Sequence, residues 1–327
     1  MNGKAPSGWD AAVVGKRAYT DNSGPKYQPP LYETFIAIIS LGVYTAWPYV
    51  MFLLLLFAWY PPIFFVNLVL YSTLLMPAQL YWPNFLNWDL FRTWREYFSF
   101  SYKMTEQLDF NRKVIFAEFP HGTYPMGPLL AGTLIPKMFP GRKIYSVAAS
   151  VLFRIPGLKH AMTWMGSQPA DRQTFQSLVN KGDVAVVVGG IAEMFMQYKD
   201  KEQVLLASRK GFIKMALQNG VDIVPVYHFG NSRVLSIGPQ SFMELCRKMR
   251  MSFGMLIGRW GLPIPKRHPI YMVAGRAVKV KTAVKPDDPS FPKAVDELHL
   301  RVQEELRRLY DENKAEFGWE NRPLFIV

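Results

Sequence analysis

The feature that most constrains this chain is a run of 55 residues, between Glu33 and Asp89, without a single Asp, Glu, Lys or Arg. The run divides at Trp59-Tyr60-Pro61-Pro62, with an apolar stretch on each side. Roughly 20 apolar residues suffice to cross a bilayer. We therefore expect two membrane helices, or a hairpin that dips into one leaflet, since Pro48 and Pro77 interrupt the run.

A pair of helices buried in a soluble core is the alternative, but helices that are apolar on every side need a large surrounding protein to cover them. The membrane interpretation predicts three parts: a flexible cytosolic tail at 1–30, a membrane-embedded helical hairpin at 31–88 and a folded domain at 89–327. An even number of crossings leaves the tail and the domain on one side, and basic flanks such as Arg17 and Arg92 favour the cytosol.

The net charge of +13 is typical of proteins that meet nucleic acid, an anionic membrane surface or an anionic substrate. The sequence has no zinc-finger spacing, aromatic RNA-binding signature or long basic helix, which argues against nucleic acid. The single cysteine, Cys246, excludes an internal disulfide and is interpreted as a core residue rather than a nucleophile. Since metal-ligand clusters, phosphate-binding loops and nucleophile elbows are absent from the sequence, no metal and no covalent intermediate is expected.

After Asp89, short β-branched runs alternate with amphipathic segments, which predicts an α/β domain. Candidate strands are 114–118, 143–149, 183–189, 221–228 and 269–280. Helices are expected at 172–180 and at 211–218, the second ended by Asn219-Gly220. A last helix follows Pro292, with an apolar stripe formed by Val295, Leu298, Val302, Leu306 and Leu309.

A histidine stands three residues after the end of the first of these strands, in Pro120-His121-Gly122. Proline restricts the backbone and glycine allows close approach, so the imidazole is expected at the mouth of a site rather than within a strand ladder. An unperturbed imidazole can accept a proton from an alcohol that attacks a thioester. The alternative is a packed or turn-capping histidine.

Several further segments, in order, make His121 part of a wider pattern. They are Gly189-Gly190-Ile191-Ala192-Glu193, Arg209-Lys210-Gly211-Phe212, Val224-Pro225-Val226-Tyr227 with Phe229-Gly230-Asn231, and 263–269 leading into Gly275-Arg276. With them, residues 31–327 resemble the type-two acyl-CoA:diacylglycerol acyltransferases, whose relatives include monoacylglycerol acyltransferases and wax synthases. The resemblance implies an acyltransferase-like mixed sheet flanked by helices, and an enzyme that esterifies diacylglycerol to triacylglycerol by direct attack on the thioester.

The resemblance also implies that acyl-CoA is a substrate and that no cofactor is bound. It implies a lipid bilayer as partner, an endoplasmic reticulum membrane with the catalytic domain in the cytosol, and access to lipid droplets; a homodimer is compatible with it. Monoacylglycerol or a fatty alcohol remains open as the acceptor. A non-catalytic protein that binds acyl-CoA or shapes the membrane is the alternative of another class.

The chain departs from the family pattern beside His121. Many members carry His or Glu where this chain has Phe119, and the wider glycerolipid acyltransferases have an aspartate where it has Met126. A carboxylate that orients the imidazole must therefore come from elsewhere, and Glu193 is predicted because it follows the Gly189-Gly190 turn at a neighbouring strand end. Glu118 is the rival. A helix N-terminal role is the other interpretation of Glu193.

The remaining site predictions concern charge. The backbone amides near Gly122 and Thr123 are expected to stabilise the tetrahedral oxyanion. Arg209 and Lys210, which precede a predicted helix start, are expected to bind the phosphates of CoA. A solvated or membrane-facing basic surface is the alternative for these two cations.

Overall fold

The computed structural model of the protein describes residues 14–21, 24, 27–109, 111–139, 141–238 and 254–327. Cys246 and the first 13 residues of the predicted tail lie outside the described residues. The described helices are α1 Leu31–Leu56, α2 Pro61–Ser72, α3 Pro83–Leu86, α4 Asp89–Tyr97, α5 Met126–Gly132, α6 Ile135–Met138, α7 Leu158–Trp164, α8 Arg172–Lys181, α9 Gly211–Asn219, α10 Asn231–Val234 and α11 Phe291–Asn313.

The described strands form one large mixed sheet and two small ones. They are β1 Ala18–Tyr19, β2 Ser101–Met104, β3 Val114–Phe119, β4 Ile144–Ala148, β5 Ser167–Pro169, β6 Asp183–Val187, β7 Glu202–Val204, β8 Asp222–Phe229, β9 Ser236–Gly238, β10 Met255–Ile257, β11 Tyr271–Ala274 and β12 Leu324–Ile326. The large sheet has the order β1-β2-β11-β8-β3-β6-β4-β5. Its centre, from β8 to β5, is parallel, whereas β11 runs antiparallel to β8.

The predicted α/β class and its main elements are confirmed. Strand β3 is buried along its whole length, as expected for a central parallel strand that is covered on both faces. Helix α9 ends at Gly220, whose φ of +63° gives the left-handed stop that the sequence predicts. The apolar stripe predicted for the last helix is buried in α11. The predicted strand at 269–280 is shorter, because only Tyr271–Ala274 pairs as a strand.

Helices α1 and α2 form the two arms of the predicted hairpin, and they are unequal in length. Helix α1 has 26 residues and is long and apolar enough to cross a membrane. Helix α2 has 12 residues, which extend about 18 Å at the usual rise, against about 30 Å for the hydrocarbon core. The side-chain amide of Asn67 donates to the Leu54 carbonyl oxygen at 2.6 Å and ties the arms together. Helix α2 is therefore shorter than the hydrocarbon core is thick.

Helix α1 is attached to the α/β domain by side-chain hydrogen bonds. The Trp47 indole N–H donates to the Pro156 carbonyl oxygen at 2.7 Å, and the Thr45 hydroxyl donates to the carbonyl of Pro263. The opposite side of the hairpin leaves large apolar side chains exposed, among them Phe35, Ile39, Val43, Phe52, Phe64, Phe65 and Val69. The helix is therefore held to the domain along one side and presents an apolar surface on the other.

Residues 14–21, which the sequence assigns to the flexible tail, are part of the fold. Strand β1 pairs antiparallel with β2. The Asp21 carboxylate accepts from the Arg95 guanidinium at 2.7 Å, and both side chains are buried. The folded domain therefore includes residues that precede the hairpin, which differs from the predicted boundary at residue 89.

Candidate active site

The predicted catalytic histidine lies on a turn between β3 and α5, at the carboxyl end of the central parallel strands. Strand β3 ends at Phe119, and the Phe119–Pro120 peptide bond is cis. His121 is partly buried, Gly122 has a φ of +60°, and Thr123 is buried. A side chain at Gly122 would adopt a strained conformation. Residues 120–123 are called the catalytic turn below, after the role that the sequence predicts for His121.

A backbone carbonyl selects the tautomer of His121. Its Nδ1 atom lies 2.9 Å from the carbonyl oxygen of Gly122. Because a carbonyl can only accept, Nδ1 carries the hydrogen and Nε2 keeps its lone pair. Burial lowers the pKa of His121, partly offset by the Gly122 carbonyl. The neutral ring, which is the form that can accept a proton, is therefore favoured at neutral pH.

Glu193 contacts the backbone of His121 rather than its ring, which differs from the predicted orienting role. One carboxylate oxygen accepts the His121 backbone N–H at 2.6 Å, and the other accepts the Leu205 backbone N–H at 2.6 Å. Burial raises the pKa of Glu193 to about 7, against the lowering effect of these two bonds. Among the described residues, no carboxylate lies within hydrogen-bonding distance of the imidazole.

The predicted motif glycines bring Glu193 to that position. Glu193 lies in a 3₁₀ turn at Gly190–Phe195, and Gly190 has a φ of +59°. At Gly189, a Cβ atom would stand 1.8 Å from the Glu193 carboxyl carbon. Only glycine therefore leaves room for the carboxylate beside the catalytic turn.

Asn231, at the start of α10, contacts the same turn from the other side. Its amide nitrogen donates to the carbonyl oxygens of Pro120, at 3.1 Å, and His121, at 3.0 Å. Its amide oxygen accepts the Gly127 backbone N–H at 2.8 Å. The side chain is fully buried, so its amide nitrogen and its amide oxygen both form their hydrogen bonds inside the protein.

The backbone N–H groups of Gly122 and Thr123 are the two predicted oxyanion donors. Within the part of the chain that the structure describes, neither the Gly122 nor the Thr123 backbone N–H donates a hydrogen bond. The Thr123 hydroxyl is buried and likewise has no partner among these residues. Most buried backbone N–H groups are paired, so unpaired donors beside His121 are consistent with an oxyanion site.

The two predicted phosphate ligands differ in their contacts. Arg209 is exposed, and its guanidinium lies 3.4 Å from the Gly189 carbonyl oxygen. Lys210 forms an ion pair with Asp296 at 2.7 Å. Both precede α9, which begins at Gly211. The guanidinium of Arg209 is therefore available next to the turn that holds Glu193, whereas the ammonium of Lys210 already has an anionic partner.

Glu118, the rival carboxylate, faces a different histidine. Its carboxylate lies 3.8 Å from Nε2 of His228 on β8, too far for a hydrogen bond. Burial raises the pKa of Glu118 to about 8 and lowers the pKa of His228 to about 3. Both groups are therefore neutral at pH 7. Neither ring nitrogen of His228 has a partner among the described residues.

The catalytic turn also meets the apolar helix. The ring of Tyr124, three residues after His121, packs edge-on against Tyr44 of α1 with centroids 5.8 Å apart. Tyr44 in turn lies 5.4 Å from Trp94 of α4. The histidine is therefore next to the junction between the α/β domain and the helix that is long enough to cross a membrane.

A family model described as diacylglycerol acyltransferase matches residues 52–326. That range contains every residue of the site described above except Tyr44. The chain belongs to the diacylglycerol acyltransferase family.

Curated relatives of this family member include diacylglycerol O-acyltransferase 2 of Rattus norvegicus, 31% identical over 255 residues, and that of Homo sapiens, 30% identical over the same length. Each alignment covers 71% of this chain and 64% of the relative. Diacylglycerol O-acyltransferase 2-like protein 6 of Bos taurus is 29% identical over 270 residues, covering 74% of this chain and 78% of the relative. The alignment thus spans somewhat less than two thirds of the rat and human proteins.

Among solved structures, the 1-acyl-sn-glycerophosphate acyltransferase PlsC of Thermotoga maritima is similar at a TM-score of 0.39 and 15% sequence identity. The match covers 84% of this chain and 96% of that chain.

A cleft of about 490 Å³, lined by residues of α11 and of the segment after β11, contains no residue of the catalytic turn. Among the described residues there is no cluster of metal-binding side chains.

Two contacts of this acyltransferase family member were missed in the sequence. Asn231 stands in a segment quoted for the resemblance, and the available signal was a polar residue two positions after the end of a fully buried strand. Tyr44 and Tyr124 gave no local signal, because 80 positions separate them and aromatic residues are common throughout the apolar run.

Proposed function

We propose that this chain is an acyl-CoA-dependent O-acyltransferase that esterifies diacylglycerol to triacylglycerol. The observation that carries the proposal is the position of His121, whose turn joins the apolar helix α1 through the contact between Tyr124 and Tyr44. A base at that junction can meet an acceptor that arrives through the lipid, because diacylglycerol is too apolar to arrive through water. Membership of the diacylglycerol acyltransferase family supports the same reaction.

In the proposed reaction, Nε2 of His121 accepts the proton of the acceptor hydroxyl while the hydroxyl oxygen attacks the thioester carbonyl. The tetrahedral intermediate then breaks its carbon–sulfur bond. The imidazolium returns the proton to the leaving thiolate, so the products are triacylglycerol and CoASH. The Nδ1–H bond to the Gly122 carbonyl holds the ring in the required tautomer throughout.

The backbone N–H groups of Gly122 and Thr123, which have no partner among the described residues, are the proposed oxyanion donors. Removal of one such donor typically costs roughly 100- to 1,000-fold in rate. Arg209 is the proposed ligand of a CoA phosphate, since its guanidinium is exposed beside the 189–193 turn. Lys210, which forms an ion pair with Asp296, adds to the positive electrostatic potential at the start of α9.

The proposed setting is a membrane. Helix α1 is the crossing segment and α2 the shorter arm. We place the catalytic domain in the cytosol, at the endoplasmic reticulum with access to lipid droplets, where acyl-CoA and neutral lipid meet. The domain's net positive character suits an anionic membrane surface. A homodimer is part of this proposal.

The test is transfer of labelled oleoyl from oleoyl-CoA by the purified protein, with diacylglycerol, monoacylglycerol and hexadecanol offered in parallel. His121→Ala should lower triacylglycerol formation by roughly 100- to 10,000-fold, the usual contribution of a general base. His268→Ala is the matched control, because the Nδ1 atom of His268 also lies 2.9 Å from the carbonyl of the following residue. It should retain transfer.

Three outcomes discriminate between the functions. Near-native transfer by folded His121→Ala would contradict the mechanism. A preference for monoacylglycerol or hexadecanol would change the acceptor and leave the mechanism in place. No transfer to any acceptor by folded wild-type protein would favour a protein that binds acyl-CoA or shapes the membrane.

A further inference from the structure

Both backbone groups of His121 are held by buried side chains that come from distant parts of the chain. Glu193, 72 positions later, accepts its N–H, and Asn231, 110 positions later, donates to its carbonyl oxygen. The peptide groups on either side of the imidazole are thereby hydrogen-bonded in place. The ring itself has only the Gly122 carbonyl as a hydrogen-bond partner among the described residues. Its position is thus set mainly through the backbone.

The bonds of Asn231 are chemically unambiguous. Two carbonyl oxygens require donors and one backbone N–H requires an acceptor, and a side-chain amide supplies two hydrogens and one carbonyl oxygen. The amide therefore has a single orientation that satisfies all three groups. The Asn231 side chain also leaves no room for a larger residue at position 122, since a Cβ there would stand 2.9 Å from the Asn231 amide nitrogen.

The three partners of Asn231 span the whole catalytic turn. Pro120 begins the turn, His121 carries the ring, and Gly127 lies in the first turn of α5. One side chain therefore fixes the end of β3 relative to the start of α5. A displacement of about 1 Å at a reacting group can cost on the order of 100-fold in rate, so a group that prevents such a displacement acts on catalysis without touching substrate.

We propose that Asn231 is the positioning residue of the catalytic base, and that it acts by holding the carbonyl groups of Pro120 and His121 so that Nε2 faces the acceptor hydroxyl. This inference rests on the proposed acyl transfer and assigns a role that the carboxylate-based prediction did not include. It requires the donors of Asn231 specifically, because the groups that fix the turn are carbonyl oxygens. An acceptor at the same place would repel them.

Asn231→Asp tests this requirement with almost no change in shape. The carboxylate keeps the acceptor for the Gly127 N–H but places a second oxygen against two carbonyl oxygens. We expect kcat for oleoyl transfer to fall about 10- to 100-fold, since the loss acts on the position of the base, while KM for oleoyl-CoA changes by less than about threefold.

Lower pH should restore part of the loss. Burial against two carbonyl oxygens raises the pKa of a new aspartate above its ordinary value of about 3.9, and a protonated carboxyl group can donate one hydrogen bond. The ratio of Asn231→Asp to wild-type kcat is therefore expected to rise as the pH is lowered from 8 to 6. Before the ratio is formed, each kcat is divided by the fraction of neutral His121 at that pH, taken from the His121 titration of the same variant.

Asn313→Asp is the matched control. Asn313 is also buried, and its side-chain amide donates to the Leu309 carbonyl oxygen at 2.8 Å within α11. This variant loses a comparable donor far along the chain from the catalytic turn. It should lower the melting temperature without changing kcat per folded molecule, and its ratio to wild type should not vary with pH.

A second readout does not depend on turnover. The chain has five histidines, so the ring signals of [¹³C]histidine-labelled protein in detergent can be assigned with His121→Ala. Release of the turn exposes the ring, and because burial lowers the pKa of His121, exposure raises it. We expect the His121 titration to move to higher pH in Asn231→Asp and in Asn231→Ala, and to stay unchanged in Asn313→Asp.

The two readouts separate the failures. If wild type transfers no acyl group but the His121 titration moves as stated, the proposed function fails and the role of Asn231 in fixing the turn stands. If wild type is active and Asn231→Asp matches Asn313→Asp in kcat, pH ratio and His121 titration, the role of Asn231 is overturned. A loss of melting temperature alone, with all other readouts unchanged, would also overturn it.

Discussion

Two buried glutamates lie near the catalytic turn, and their surroundings are opposite. Glu193 is 72 positions from His121 and accepts two backbone N–H bonds, one of them from His121. Glu118 is three positions from His121, yet no hydrogen bond to its carboxylate occurs among the described residues, and its neighbour is His228 at 3.8 Å. Nearness in sequence therefore does not predict which carboxylate supports the histidine.

The difference also appears in the electrostatics. Burial raises the pKa of both carboxyl groups, to about 7 for Glu193 and about 8 for Glu118. Two N–H donors and Arg209 stabilise the charged form of Glu193, whereas nothing comparable offsets burial at Glu118. Glu193 is thus a hydrogen-bond acceptor built into the site, and Glu118 is a neutral buried group beside it.

Within this comparison of the two glutamates, the largest expected effect comes from making the same substitution at both positions. Glu193→Gln places an amide NH₂ against a backbone N–H, so one bond is lost and two donors oppose each other. Transfer should fall about 10- to 100-fold through displacement of His121, with about 1–3 kcal/mol lost from the free energy of unfolding. Glu118→Gln, its control, should change transfer by less than about threefold. Steady-state kinetics measure transfer, and denaturant unfolding measures stability. Equal losses of transfer in the two variants would show that Glu193 is no more important to His121 than Glu118 is.

A smaller effect is expected when Glu193 is kept and the space that its carboxylate occupies is filled by another side chain. Gly189→Ala puts a methyl group where the carboxyl carbon now lies, 1.8 Å from the new Cβ, so the carboxylate must move away from the His121 N–H. Transfer should fall about 10-fold. Gly220→Ala is the control, because its φ of +63° makes it costly in stability, by roughly 1 kcal/mol, but it ends α9 rather than the catalytic turn. Undiminished transfer by Gly189→Ala would mean that the bond from Glu193 is dispensable.

The smallest effect concerns the pH dependence of stability at Glu118. Its folded pKa of about 8 lies above the ordinary 4.5, so between these values the folded chain keeps a proton that the unfolded chain releases. The free energy of unfolding therefore falls as the pH rises from about 4.5 to about 8. Glu118→Gln cannot ionise and should flatten this decline. Urea unfolding at several pH values measures it, and parallel wild-type and mutant curves would show that Glu118 is not the group responsible.

The hairpin shows how far apolar composition can be interpreted. The uncharged run predicted two arms and the break at Trp59-Tyr60-Pro61-Pro62, and the structure has α1 and α2 on either side of that break. Composition did not determine that the second arm is the shorter. That depends on where α2 ends, at Ser72, and on the 3₁₀ turn that follows.

Local pattern sufficed for the central strands, for the apolar stripe of α11 and for the place of His121 at a strand end, because each depends on the spacing of residues within one segment. Strands β1 and β2, at one end of the large sheet, were missed, since strands of 2 and 4 residues carry too little alternation to be recognised. For the same reason, the predicted boundary of the folded domain at residue 89 left out β1, which precedes the hairpin.

The sequence by itself determined that the chain is an α/β protein with an apolar hairpin and a histidine beside a glycine-rich set of turns. Only the tertiary structure decided what holds that histidine. The Gly122 carbonyl selects its tautomer, Glu193 binds its N–H and Asn231 binds its carbonyl. The physical reason is that a hydrogen bond depends on distances of about 3 Å between atoms, and strand order in the folded sheet sets those distances for residues that lie 72 and 110 positions apart.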